Sequence, residues 1–223
     1  MRLQSPAWLV AGLALLLSAG GVVGQGFVNL DFESPILPLN PVNFQVQITN
    51  SLPGWTGYIG NSQVNRVVYD TVSLGAAAIS FQDSSGFISL QGQYCVGLQS
   101  TDPGNQFMAA LAQIGRVPQD ALSVRFFASD FATLELSFAG QVIPLFQIGS
   151  GNGYGILGGD ISSFAGQTGE LRFTSGMGPL GHGGGGFLDS IQFSNQPIPE
   201  PGVFALSTLG GLLLGWRVVD RRR

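Results

Sequence analysis

The 223-residue sequence predicts an all-β protein built on a two-sheet antiparallel β-sandwich, and three observations carry that prediction. Charged residues make up 10% of the chain and lysine is absent, so the Glu, Lys and Gln that fill exposed helix faces are scarce. Glycine occupies 34 positions and proline 12, punctuating the chain with turns. Between them lie short runs in which apolar and polar residues alternate, the period of a half-buried strand.

Residues 1–24 read as a signal peptide. Arg2 is a minimal positive start, Ala7 to Leu17 (AWLVAGLALLL) is an apolar core of secretory length, and SAGGVVG supplies small residues for signal peptidase. The exported part, 25–196, is expected to be the sandwich. In FQVQIT, Phe44, Val46 and Ile48 share one face. In ALSVRFFA, Leu122, Val124 and Phe126 do so. TLELSFAG sets Leu134, Leu136 and Phe138 against Thr133, Glu135 and Ser137, and ELRFT sets Leu171 and Phe173 against Glu170 and Arg172. One face is expected in the core and the other in water. Pro53-Gly54 and Pro103-Gly104 supply turns. Fifteen of the 38 positions from Gly149 to Gly186 are glycine, which reads as surface loop.

Charge and cysteine content narrow the partners. Between 25 and 198 stand four arginines and eleven acids, a net charge of −7, with no basic stripe for nucleic acid. Neutral polymers and cations are the expected partners. Cys95 is the single cysteine and lies in the apolar run YCVGL, which predicts a buried, inert thiol. No GxSxG, HExxH or metal-spaced Cys/His cluster is present, and the single histidine, His182, sits in the glycine-rich GPLGHGGGGF, so no catalytic residue is expected.

The C-terminal segment, 197–223, predicts a membrane-spanning helix over about 202–219. Gly202 to Trp216 is uncharged and reaches roughly 22 Å as a helix, against a hydrocarbon core of about 30 Å. Letting Arg217 snorkel extends it to roughly 27 Å. Arg221, Arg222 and Arg223 are then expected on the cytoplasmic side.

Pro199-Glu200-Pro201, the short apolar run with an internal Gly-Gly and the terminal arginines resemble the PEP-CTERM sorting signal of Gram-negative bacteria. That resemblance implies a membrane-anchored intermediate cleaved by an exosortase, with the mature protein at the cell surface or in the extracellular matrix. A second resemblance covers most of 26–194. VNLDFESP, LPGWTGY, GQYCVGLQ, AALAQIGRVPQDALSVRFFAS, ISSFAGQTGELRFTS and GFLDSIQF, in that order, resemble the galactose-binding-like jelly rolls shared with carbohydrate-binding modules. An immunoglobulin-like sandwich is the alternative architecture.

Within that resemblance, Glu33 of the first strand and Asp189 of the last match positions that share a structural calcium. Asp189 alternates in phase with Phe187, Ile191 and Phe193, so its carboxylate is expected toward the apolar face, where a charge needs a partner. Oxygen-only ligation suits Ca²⁺. Glu33, by contrast, alternates away from Leu30 and Phe32. Trp55 and Tyr58 in PGWTGYIGN, with Asn61 beside them, are the candidate sugar-binding residues, since exposed aromatic faces stack on pyranose rings. A Trp at that place also suits a core plug. Gln91 and Gln93 are secondary candidates. The expected function is non-enzymatic association with extracellular polysaccharide. The alternatives are a structural envelope or biofilm-matrix protein without a glycan pocket and, further off, a glycoside hydrolase or lyase.

Overall fold

The computed structural model describes residues 26–198 apart from 74, 86–88, 102–107, 130–131 and 179–182. The expected signal peptide, His182, the Pro199–Pro201 motif, the apolar run to 219 and Arg217, Arg221, Arg222 and Arg223 lie outside the described residues. Among the described residues no helix is long and apolar enough to cross a membrane.

The described residues are mostly β, with 53% of them in strands and 4% in helix, and the strands form two sheets. Numbered along the chain, the strands are β1 (Gln45–Gln47), β2 (Thr56–Ile59), β3 (Ser62–Val64), β4 (Arg66–Tyr69), β5 (Ala78–Asp83), β6 (Tyr94–Gln99) and β7 (Ala109–Arg116). There follow β8 (Ser123–Ser129), β9 (Leu134–Phe138), β10 (Gln141–Ile143), β11 (Phe146–Ser150), β12 (Tyr154–Asp160), β13 (Thr168–Ser175) and β14 (Gly185–Ser194). One sheet runs β1-β4-β5-β6-β14-β8-β12-β11 and the other β10-β9-β13-β7-β2-β3. The expectation of purely antiparallel sheets is corrected at one place, where β4 and β5 pair in parallel through Val68 with Ser80 and Tyr69 with Phe81. The overlap is so short that residues 70–77 suffice to bring the chain back, where parallel neighbours ordinarily need a long crossover.

The inward sides of the two sheets share one core. Leu111, Leu136, Phe138, Leu171 and Phe173 of the six-stranded sheet meet Phe81, Val96, Val124, Phe126 and Leu188 of the eight-stranded one. Phe126 and Phe173 make the contact explicit, edge to face across the gap with ring centroids 5.1 Å apart. Alternation therefore places Leu136, Phe138, Leu171, Phe173, Val124 and Phe126 as expected.

Three expectations are corrected by local backbone. Phe44 does not join Val46 and Ile48 in the core. Asn43 and Phe44 both take positive φ in a tight turn closed by hydrogen bonds between Val42 and Gln45, which leaves Phe44 73% exposed. Leu122 precedes β8 and is also exposed. The glycines of 149–186 are not all in loops, because Gly155, Gly158, Gly159 and Gly169 lie inside β12 and β13. Gly169 shows why: a Cβ there would stand 2.8 Å from the Phe138 ring, so the strand needs the missing side chain to pass.

Candidate functional site

Strand alternation fixes what the six-stranded sheet turns away from the core, and register fixes which of those residues are neighbours. One row runs Gln63, Tyr58, Ala110, Thr174, Glu135 across β3, β2, β7, β13 and β9. The next runs Thr56, Ala112, Arg172, Ser137, Val142, ending on β10. The intervening residues Leu111, Phe173 and Leu136 point into the core, which holds the outward side chains on a rigid floor. A groove of about 400 Å³ lies on this face, lined among others by Asn61, Ala110, Glu135, Ser137, Arg172 and Thr174.

The small side chains of β7 shape the groove. Arg172 on β13 and Tyr58 on β2 are two strands apart, separated only by Ala110 and Ala112. The guanidinium crosses that low ground and lies over the Tyr58 ring, 4.4 Å from its centroid. On its own strand it faces Glu170 at 3.6 Å, an ion pair longer than a hydrogen bond. The other described arginines are committed to backbone carbonyls: Arg66 to Gln45, Arg116 to Gly166, Arg125 to Gln196 and Pro197. Among the described residues Arg172 donates no hydrogen bond; the Tyr58 ring and the Glu170 carboxylate hold its guanidinium at the groove.

Of the three residues expected to bind sugar, the structure brings two to this face. Tyr58 is half-buried within it, and Asn61 is exposed at its end in the β2–β3 turn. Trp55 is corrected to the core. It is 4% exposed, packs between Phe32 and Phe173 at 5.7 and 6.4 Å, and donates its indole N–H to the Asn29 carbonyl at 2.9 Å. No ring face is left for a ligand. Glu135, Arg172, Ser137 and Thr174 are absent from the sequence-based site. Their polar alternation was visible in TLELSFAG and ELRFT, but the adjacency of β9 and β13 was not.

Glu33 and Asp189 converge elsewhere, on the segment 91–94 of the eight-stranded sheet. The stretch VNLDFESP is a loop rather than a first strand, because Asn29 and Phe32 take positive φ. Glu33 lies on it, and its Oε1 accepts the N–H groups of Gln93 and Tyr94 at 2.8 and 2.9 Å. Asp189 Oδ2 accepts the N–H of Gln91 at 2.9 Å, and Oδ1 that of Ser190 at 2.6 Å. The Ser190 hydroxyl in turn donates to Gln91 Oε1 at 2.8 Å. The expected direction of Asp189 is corrected. Leu188 points into the core, and a bulge between Asp189 and Gln192, with Ser190 at φ +49°, puts Ile191 in the core while Asp189 faces outward. Its carboxylate is nonetheless 1% exposed.

Burial pushes the Asp189 carboxyl up to about 7, with the Glu33 charge adding to it against the N–H groups that favour ionisation. Among the described residues no group of three or more His, Cys, Asp and Glu side chains is placed to hold a metal ion. The oxygens in this region are of the type calcium takes: the Asp189 carboxylate beside the Ser190 hydroxyl and Gln91, and the Glu33 carboxylate two residues further on at Gln93. Cys95 is fully buried, and burial with the Asp189 charge pushes its thiol up to about 12, consistent with an inert core residue.

No protein-family model matches the chain, and no curated protein matches it. Among solved structures it is similar to the apo form of a cyclase from Fischerella sp., at 15% identity and a TM-score of 0.38, over 76% of this chain and 94% of that one. A cyclase from Fischerella sp. TAU gives 14% identity and a TM-score of 0.36 over the same shares. Overlap at this level transfers neither architecture nor activity.

Proposed function

We propose that this is a non-catalytic, exported surface or matrix protein whose galactose-binding-like jelly roll associates with extracellular polysaccharide along the face of the six-stranded sheet. The observation that carries the reading is the guanidinium of Arg172, laid over Tyr58 at the side of a groove that it lines together with Glu135, Ser137, Thr174 and Asn61. Guanidinium, hydroxyls, amide and carboxylate are groups that hydrogen-bond sugar hydroxyls, and the sheet holds them in place. The fold supports the reading because the outward residues Tyr58, Thr174, Glu135, Arg172 and Ser137 are polar while Leu111, Phe173 and Leu136 between them are core. Glu33 and Asp189 would hold a structural Ca²⁺ away from the groove.

Tyr58→Ala and Arg172→Ala are each expected to weaken retention of the full-length protein on polysaccharide by about tenfold, the loss of one stacking or charge-assisted contact. Affinity electrophoresis in gels cast with single polymers measures this. A wild-type protein that is folded and unretarded by every polymer supports instead a structural matrix protein without a glycan pocket.

For the delivery signal, the expectation is a mature surface protein that ends near Pro201 after exosortase cleavage, read by intact-mass analysis of protein shed from the cell surface. Recovery of Arg221 to Arg223 on that protein indicates a permanent anchor instead.

A further inference from the structure

Among the described residues the groove is lined by one cation, Arg172, and one acid, Glu135, with a second acid, Glu170, beside Arg172 on the same face. Arg172 has Glu170 at 3.6 Å along its own strand. Glu135 is paired with Thr174 on the neighbouring strand, one outward position from Arg172 in the other direction. The outward cluster Glu135, Glu170 and Arg172 therefore carries one net negative charge, and the domain around it is negative as well, at −7 over residues 25–198. An arginine fork can pair bidentately with a carboxylate. Here the guanidinium is already paired with Glu170, whose side chain is the more exposed of the two, at 39% against 26%.

We propose that Glu170 and Glu135 act as a charge filter on the groove, so that Arg172 reads the hydroxyls of a neutral polysaccharide and uronate-bearing chains are turned away. The inference rests on the polysaccharide reading given above and adds the class of polymer. Specificity of this form comes from a repulsive element placed beside the attractive one. Glu170 is the stronger arm, because it sits against the guanidinium and is itself partly exposed. Removing its charge releases Arg172 to an external carboxylate and removes the nearest repulsion at once. Both acids are on the solvent side of the sheet, so the isosteric amides leave the core untouched.

The test uses the full-length chain and four probes: xylan and hydroxyethyl cellulose as neutral polymers, polygalacturonate and alginate as uronate polymers. Wild type is expected to bind at least one neutral polymer at least tenfold more tightly than either uronate polymer. Glu170→Gln is expected to raise uronate affinity about fivefold with neutral-polymer affinity within about twofold of wild type, and Glu135→Gln/Glu170→Gln to raise the uronate-to-neutral ratio further. Raising the salt concentration should strengthen the weak uronate binding of wild type, since the repulsion is between exposed charges. A wild type that prefers uronates, or a Glu170→Gln variant with an unchanged uronate-to-neutral ratio, overturns the filter and leaves polysaccharide binding standing. Failure of folded wild type to bind any of the four removes both.

Discussion

Truncating Phe173 to alanine is expected to remove about 3–5 kcal/mol of folding stability. Its ring is fully buried on β13, meets Phe126 of the opposite sheet edge to face at 5.1 Å, and stands 6.4 Å from Trp55. Removing it opens a cavity where the two sheets touch, and close-packed surroundings relax only partly into such a hole. Domains of this size are stable by roughly 5–15 kcal/mol, so the loss is a large share of the total. Urea unfolding followed by tryptophan fluorescence measures it, with the midpoint falling and the slope unchanged. Ile114→Ala on adjacent β7 is the control. That side chain is 73% exposed and should change stability by about 0.5 kcal/mol or less. A Phe173→Ala loss below about 1 kcal/mol would mean that the two sheets are not joined through this ring.

The second large effect is expected at Asp189, as a dependence on pH that runs opposite to ordinary acid denaturation. Its carboxyl is near 3.8 when the chain is unfolded and is raised to about 7 when it is folded. Between those values the folded protein binds the proton more tightly, so stability is highest at the acid end and falls as pH rises from about 4 to about 7. Asp83 and Asp160 work in the reverse sense. Burial alone would raise Asp83, but the Ser85 N–H and the Tyr69 hydroxyl hold it low, and Ser162 does the same for Asp160. Their contribution is lost only below the unfolded carboxylate range, which leaves the window above pH 4.5 to Asp189.

In the presence of a chelator, the melting temperature is expected to fall across that window, and Asp189→Asn is expected to flatten the slope. The full shift corresponds to at most about 4 kcal/mol. Calcium reverses the trend, because it binds the ionised carboxylates of Glu33 and Asp189 and so stabilises more at pH 8 than at pH 5. A melting temperature at pH 8 that is the same with calcium and with chelator removes the ion. A flat profile in chelator removes the raised, desolvated carboxyl of Asp189 itself.

What alternation could and could not reveal follows from the range of the interactions involved. Leu136 with Phe138, and Leu171 with Phe173, declared their inward face because a period of two is a local property of the chain. Phe44 obeyed the same period and was thrown outward by two consecutive positive-φ residues, which neither an Asn nor a Phe announces reliably. Asp189 is displaced in the same way by the bulge at Ser190, and Trp55 by the Asn29 carbonyl that takes its indole N–H from 26 residues away. The groove lay furthest from reach. Tyr58 and Asn61 were visible as a motif, while Arg172 and Glu135 became their neighbours only through pairings of β13 with β7 and β9. Register between distant strands is set by the whole core rather than by any one segment.

The place where the chain leaves the sandwich has a bearing on how the groove is presented. Arg125 grips the carbonyls of Gln196 and Pro197, and Ile198 lies against Gly158, on the outward side of the eight-stranded sheet. The groove is on the outward side of the other sheet. Exit and groove thus occupy opposite poles of the sandwich, with the core between them. The Arg172 face therefore looks away from Ile198, the last described residue, and the whole thickness of the core separates the two.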